Sequence, residues 1–144
     1  MDTAASRRAG GNMNYFAYAS NLSQKQMKQR CPDSKPIFTA TLPHYKLVFL
    51  GWSREWRVAT ASIRVFRGEK VLGAVYDVSE QCLRNLDKFE SGYSRLKVTV
   101  FSEDNEPIEA VTYIRGGQIQ VEEAKPSPEY LAVIQQGYRD WRLV

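Results

Sequence analysis

Hydrophobic and polar residues alternate along several stretches of the chain, and this period of two is typical of β-strands with one buried face. The alternation predicts strands over Tyr15–Ala19, Val58–Phe66, Val71–Val78, Leu96–Phe101 and Ile108–Ile114. Gly68 lies in the polar segment RGEK between the second and third of these, which predicts a hairpin with its bend there. Ile37–Leu50 is apolar but is interrupted by Pro43, which favours an extended or edge segment.

Three serines mark predicted helix starts. Ser23, with Gln26 three positions later, forms a capping-box pattern that predicts a short polar helix ending near CPD. Ser79 is a suitable N-cap for SEQCLRNLDKFE, and Ser127-Pro128 begins a helix over YLAVIQQGYRDW. The order β α β β β α β β α, with short strand connections, predicts an α+β fold: a small mixed, mainly antiparallel β-barrel flanked by short helices.

The length and composition of the chain agree with one globular domain. It has 144 residues, of which 43% are hydrophobic and 25% charged. Residues 1–12 are small and polar and lack the apolar region of a signal peptide, so a disordered tail is expected there and the domain should span residues 13–144. No apolar run approaches the roughly 20 residues that a membrane-spanning helix needs, so we expect a cytoplasmic protein without a membrane partner.

The cysteines and the histidine carry no metal-binding spacing. Cys31 and Cys82 are far apart in sequence and, in a cytosolic protein, are expected to be reduced thiols. His44 is the only histidine, and it is expected at a loop or strand edge, so neither a zinc site nor another metal site is predicted.

The net charge of +4 and a segment that mixes basic and aromatic residues raise the possibility of RNA binding. That segment contains Trp52, Trp56, Arg54, Arg57, Arg64 and Arg67. Arg64 lies on the same face of its predicted strand as Ser62 and Phe66, and this pattern favours a solvated sheet face or contact with an anionic substrate tail. We therefore predict no nucleic-acid partner.

Glu90 extends the apolar face of the second predicted helix. Leu83, Leu86 and Glu90 fall at i, i+3 and i+7, so the carboxylate continues the buried stripe at the C-terminal end of the helix. Burial and the negative end of the helix dipole would both raise its pKa, as suits a general base that later acts as an acid. Two alternatives remain: a solvated Glu90 beyond the helix end, or a structural ion pair with Arg95 or another arginine. Asp87 is interpreted as surface or capping chemistry.

Three segments together resemble the gamma-glutamylcyclotransferase family. NYFAYASNL resembles its Tyr-Gly-Ser-Asn-Leu signature, LDKFESGY resembles its Leu-Asp-x-x-Glu-Gly segment, and PSPEYLAVIQQG resembles its Pro-Ser-x-x-Tyr helix start. The three occur in the family's order over about Tyr15 to Gly137. The resemblance implies a small β-barrel enzyme that needs no cofactor and acts on a small-molecule gamma-glutamyl substrate. In that reaction the α-amine attacks the γ-carbonyl, which yields 5-oxoproline and a free amine.

The resemblance also implies roles for individual residues. Glu90 matches the catalytic glutamate. The residues that match the substrate-binding loop and the later pocket tyrosines are Tyr18, Ala19, Ser20, Asn21, Leu22, Tyr93, Tyr113 and Tyr130. Two positions depart from the family pattern, because Ala19 and Ser91 stand where the family has glycine. If residue 19 has a positive φ, its Cβ would cost about 1 kcal/mol.

These departures leave a second hypothesis, a non-catalytic protein that binds a small ligand on the same fold. Either a monomer or a homodimer is compatible with the sequence.

Overall fold

The computed structural model describes residues 12–50, 59–90, 92–115 and 125–143. Apart from Asn12, the predicted tail lies outside these residues, as do the GWSREWR loop with its two tryptophans and Ser91.

Five strands of the described chain close into a barrel. They are β1 (Met13–Ala17), β2 (Lys35–Leu50), β3 (Thr60–Val78), β4 (Ser94–Ser102) and β5 (Pro107–Ile114). Their order around the barrel is β1-β3-β2-β4-β5, and β1 closes it by pairing in parallel with β5, where Tyr15 faces Val111. The other four neighbouring pairs are antiparallel. The predicted mixed, mainly antiparallel barrel of an α+β fold is therefore confirmed.

Three α-helices of the described chain begin at the predicted serines. They are α1 (Gln24–Arg30), α2 (Glu80–Phe89) and α3 (Pro128–Asp140). The hydroxyl oxygens of Ser23, Ser79 and Ser127 each accept a hydrogen bond from the backbone N–H three residues later. This satisfies one of the unpaired N–H groups at each helix start and explains why the sequence located these helices well.

The predicted hairpin at Gly68 is wrong. Both of its strands belong to the single strand β3, which pairs with β2 before and after Gly68, so the chain reverses between β2 and β3 instead. The register jumps from Pro43↔Lys70 to Tyr45↔Val65, so residues 66–69 have no paired residue in β2 and form a bulge opposite His44. His44 and Gly68 have φ of 65° and 93°, and the Gly68 N–H donates to His44 Nδ1 at 3.3 Å. Turn-forming residues bend the strand here without reversing it.

Side chains of β1 alternate between two cores. Phe16 points into the barrel, whereas Tyr15 and Ala17 pack on its outer side against α1 and α2. The outer core also contains the two cysteines, which form a disulfide with a Cα–Cα distance of 5.2 Å. The expectation of reduced thiols is therefore wrong: folding brings Cys31, at the end of α1, against Cys82 in α2.

Within the described ranges, no helix has both the length and the apolar character that crossing a membrane requires.

Candidate active site

A short 3₁₀ turn, Ala19–Leu22, follows β1 and forms one side of the site. The predicted strand end at Ala19 is two residues too late, because β1 ends at Ala17 and the chain turns after the extended residue Tyr18. Ala19 makes the turn with φ of 56°, the left-handed region that an alanine rarely adopts. All four residues of the turn are buried.

The C-terminal half of α3 supports this turn from behind. Gly137 lets the helix approach so closely that an added Cβ would lie 2.5 Å from the Cβ of Leu22. The indole N–H of Trp141 donates to the Leu22 carbonyl at 2.9 Å, and Asp140 Oδ2 accepts from the Gln24 N–H at 3.0 Å. The turn is thereby held in place by the end of α3 and the residue that follows it.

The Asn21 side chain joins the turn to α1 and β1. Its Nδ2 donates to Tyr15 Oη at 2.7 Å, and its Oδ1 accepts from Gln26 Nε2 at 2.9 Å and from Arg30 Nη1 at 3.0 Å. Gln26 also donates to Ser20 Oγ at 3.2 Å. In the predicted capping box, the Ser23 bond forms, but the Gln26 side chain reaches the turn instead of the Ser23 backbone. The Asn21 side chain therefore fixes the shape of the turn.

Glu90 lies on the opposite side of the site, directly after the last residue of α2. Its backbone N–H bonds to the Leu86 and Asp87 carbonyls, so it caps the helix. The Glu90 side chain is only 15% exposed, and its Oε2 lies 3.6 Å from Arg30 Nη1. The alternative of a solvated Glu90 is thus wrong. The alternative of an ion pair with Arg95 or another arginine is confirmed in its second form, because Glu90 pairs with Arg30 of α1.

Tyrosines of the described chain surround Glu90 on several elements. Burial raises the pKa of each of five tyrosines, and the negative charge of Glu90 raises it further; they are Tyr15, Tyr18, Tyr93, Tyr113 and Tyr130. Their phenol groups consequently stay protonated at neutral pH and act as neutral hydroxyls. The charge of Glu90 thus acts on the four predicted tyrosines and on Tyr15.

The hydroxyl groups of these tyrosines hold the strands around the site. Tyr93 Oη donates to the Ala61 carbonyl at 2.6 Å, and Tyr130 Oη accepts from the Ala61 N–H at 2.9 Å, so both aromatic rings are fixed at one residue of β3. Tyr18 Oη donates to the backbone carbonyl of Tyr113 at 2.7 Å.

The structure thus brings the predicted catalytic Glu90 and the predicted substrate-binding loop to opposite sides of one small region, with Arg30 between them. Of the predicted tyrosines, Tyr113 faces differently, because its hydroxyl bonds to Asp87 Oδ1 at 2.5 Å and to the Leu83 carbonyl at 3.1 Å on α2. Among the described residues, no group of three or more His, Cys, Asp or Glu side chains is arranged to hold a metal ion.

The segment that matches a known protein family includes nearly the whole barrel. Residues 15–141 match the family model described as "Gamma-glutamyl cyclotransferase, AIG2-like". The chain belongs to this family. The resemblance inferred from the three motifs is confirmed, and with it an enzyme of the gamma-glutamylcyclotransferase type.

Individual relatives agree with this assignment. The gamma-glutamylcyclotransferase of Bos taurus is 32% identical over 139 residues, which cover 91% of this chain and 72% of the relative. The Homo sapiens gamma-glutamylcyclotransferase is 31% identical over 134 residues, covering 88% and 70%. A solved structure named gamma-glutamyl cyclotransferase superposes with a TM-score of 0.83 at 29% identity and covers 92% of this chain and 81% of that one.

Ala19, at the position where the resemblance to the family implies a glycine, thus has a left-handed conformation. The Cβ of Ala19 lies in the barrel core with Tyr18 and Tyr130, so the side chain is accommodated by packing. The backbone has a conformation suited to glycine even though the residue is not glycine.

Asp87 has a structural role at the helix surface, as expected, because its carboxylate joins neighbouring elements. Arg95 donates two hydrogen bonds to its carboxylate, at 3.1 and 2.7 Å, and these lower the pKa of Asp87, with the Tyr113 hydroxyl as a further donor. The carboxylate thus fastens the end of α2 to β4 and β5.

Arg30 is the site residue that sequence reasoning missed. The sequence predicts Arg30 within a short polar helix. In the structure, Arg30 lies one turn after the buried Met27 and is itself buried. Its position on the apolar face of α1 was a usable signal, by the same helical spacing that singled out Glu90.

Proposed function

We propose that this protein is a gamma-glutamylcyclotransferase that converts a gamma-glutamyl amine or peptide into 5-oxoproline and a free amine. The observation that carries the proposal is the mostly buried carboxylate of Glu90, which faces the Ala19–Leu22 turn across Arg30. The family membership and the similarity to proteins named gamma-glutamylcyclotransferase support the same reaction.

In the proposed mechanism, Glu90 accepts a proton from the α-ammonium group of the glutamyl moiety. The free amine nitrogen then attacks the γ-carbonyl carbon, and a C–N bond closes the five-membered ring. When the tetrahedral intermediate collapses, the bond to the leaving nitrogen breaks, and Glu90 returns the proton to that nitrogen. The new ring nitrogen still carries a second proton from the former ammonium group. The freed Glu90 carboxylate takes this proton and passes it to the released amine, which departs as an ammonium ion and leaves neutral lactam, so one carboxylate suffices for both transfers.

The remaining site residues would position the substrate. Backbone N–H groups of the turn would bind the glutamyl carboxylate or the developing oxyanion. Tyr18, Tyr93 and Tyr130 would line the bound glutamyl chain and exclude water. Since the nucleophile belongs to the substrate, folding it into a near-attack geometry supplies much of the rate.

The left-handed backbone of Ala19 helps to decide between the enzyme and the alternative hypothesis. The alternative is a protein that binds a small ligand and does not convert it. That alternative rested on a change of loop shape caused by alanine and by Ser91. The turn keeps a glycine-like backbone at residue 19, which favours the enzyme.

Glu90→Gln tests the proposal. With a panel of gamma-glutamyl amino acids and amines, we expect the wild type to release 5-oxoproline and the variant to lose about 10²–10⁴-fold in kcat, the usual contribution of a general base. Glu80→Gln is the matched control, because Glu80 lies on the exposed start of the same helix, and it should keep wild-type activity.

Two results would contradict the proposal. One is the absence of 5-oxoproline from every member of the panel, while ligands raise the melting temperature; this pattern would indicate the binding protein instead. The other is turnover by Glu90→Gln at the wild-type rate.

A further inference from the structure

Arg30 is a buried charged residue at the end of α1, and its side chain is only 7% exposed. Arginine side chains are rarely buried to this extent unless they are paired, because removing a charge from water is costly. The groups that face its guanidinium therefore indicate what the residue does.

The guanidinium contacts both halves of the site. Its Nη1 donates to Asn21 Oδ1 at 3.0 Å in the 3₁₀ turn and lies 3.6 Å from Glu90 Oε2 at the end of α2. On a third side, its central carbon lies 4.6 Å from the centre of the Phe89 ring. A planar group with five N–H donors suits this arrangement, since it can bind an amide and a carboxylate at the same time.

The tyrosines that the charge of Glu90 affects differ from Arg30 in charge. They are Tyr15, Tyr18, Tyr93, Tyr113 and Tyr130, whose hydroxyl groups are neutral. A neutral phenol can donate a hydrogen bond to a carboxylate, but it cannot balance its charge. Arg30 supplies a positive charge beside a carboxylate that is largely removed from water.

We propose that Arg30 is a positioning residue, which holds the Glu90 carboxylate toward the Ala19–Leu22 turn so that it meets the α-ammonium group of the substrate. This inference rests on the function proposed above. A guanidinium is a permanent cation in proteins, so the same contact is present when Glu90 accepts the proton and when it returns it. Arg30 therefore acts through Glu90 and need not touch the substrate.

Arg30→Met and Arg30→Lys test this role against the same gamma-glutamyl panel. Methionine keeps an apolar stem without charge, and we expect kcat to fall about 10–100-fold, as for a displaced catalytic group, with KM changed less than about 3-fold. The acid limb of the kcat/KM profile should move to higher pH, because a carboxylate that loses a neighbouring cation is protonated more readily. Lysine keeps the charge but not the fork, so it should recover part of kcat and leave the acid limb near its wild-type position.

Arg84→Met is the matched control. Arg84 lies on the exposed face of α2, where it pairs with Glu80, so its loss should leave kcat, KM and the pH profile unchanged. A purely structural role for Arg30 would lower the melting temperature and the amount of active protein without moving the acid limb.

The outcomes separate this inference from the proposed function. If the wild type forms 5-oxoproline and Glu90→Gln does not, but Arg30→Met keeps wild-type kcat or an unchanged acid limb, only the role of Arg30 is overturned. If the wild type forms no product, the proposed function fails and the role of Arg30 fails with it. Should Arg30→Met not fold, Arg30→Lys decides: kcat lowered about 3–10-fold at wild-type KM supports the role, and wild-type kcat overturns it.

Discussion

At the scale of single residues, Ala19 has an unfavourable backbone conformation but a favourably buried methyl group. Its φ of 56° brings Cβ close to the following carbonyl oxygen, which costs about 1–2 kcal/mol for a residue other than glycine. Its methyl group packs in the barrel core beside Tyr18 and Tyr130. The turn around it must therefore be held by other contacts, which the Asn21 hydrogen bonds and α3 provide.

Ala19→Gly should consequently stabilise the protein or leave its stability nearly unchanged. Relief of the left-handed conformation is expected to outweigh the larger backbone entropy of glycine in the unfolded chain, for a net gain of about 0.5 kcal/mol. Chemical denaturation measures the free energy of unfolding. The same substitution at Ala132, on the exposed face of α3, should instead cost about 1 kcal/mol, as for glycine in a helix interior. Equal losses at both positions would show that Ala19 is not strained.

At the scale of elements, the site depends on how closely α3 packs on the 3₁₀ turn. Gly137 is the point of contact, since a Cβ there would lie 2.5 Å from Leu22 Cβ and 2.7 Å from the Ser23 nitrogen. Trp141, at the end of the helix, then reaches the Leu22 carbonyl. The helix thus positions the turn through these two contacts.

Gly137→Ala should disrupt this packing. The added methyl group would meet the Leu22 Cβ and the Ser23 backbone nitrogen, so α3 or the turn must move. We expect a net loss of about 1–3 kcal/mol in the free energy of unfolding, even though alanine favours a helix more than glycine does. The kcat/KM for 5-oxoproline formation should fall as well, because the turn shifts relative to Glu90. Gln135→Ala on the exposed face of α3 is the control and should change neither quantity. A Gly137→Ala variant as stable as the wild type would contradict the importance of the close approach.

At the scale of the whole molecule, two helices on the outside of the barrel each bring one charged residue to the site. Arg30 ends α1 and Glu90 follows α2. The disulfide joins Cys31, directly after α1, to Cys82 in the first turn of α2. The crosslink closes a chain segment with a sequence separation of 51, and a loop of this length restricts the unfolded ensemble substantially.

Loss of the disulfide should therefore lower the free energy of unfolding by about 2–4 kcal/mol. Denaturation of the wild type with and without reductant gives this difference. The Cys31→Ser/Cys82→Ser double variant should unfold at one midpoint under both conditions. A wild type that is insensitive to reductant throughout the transition would show that the crosslink does not form.

Much of the fold was readable from the sequence because its signals are local. The serine caps at 23, 79 and 127 satisfy backbone groups within one helical turn, and the alternation along β4 and β5 reflects their own two faces. The hairpin prediction at Gly68 was wrong because it also used a local signal. A polar segment with a glycine favours a bend, but only the pairing with β2 decides between a hairpin and a bulge.

The sequence by itself determined the family, through three motifs in order, together with the helix starts and the candidate residues Glu90 and Ala19–Leu22. Only the tertiary structure decided that β3 is one strand, that Cys31 bonds to Cys82, and that Arg30 stands between the turn and Glu90. The physical reason is distance along the chain. Helix caps and strand periods depend on neighbours within a few residues, whereas the contact of Arg30 with Glu90 exists only after barrel closure places α1 beside α2.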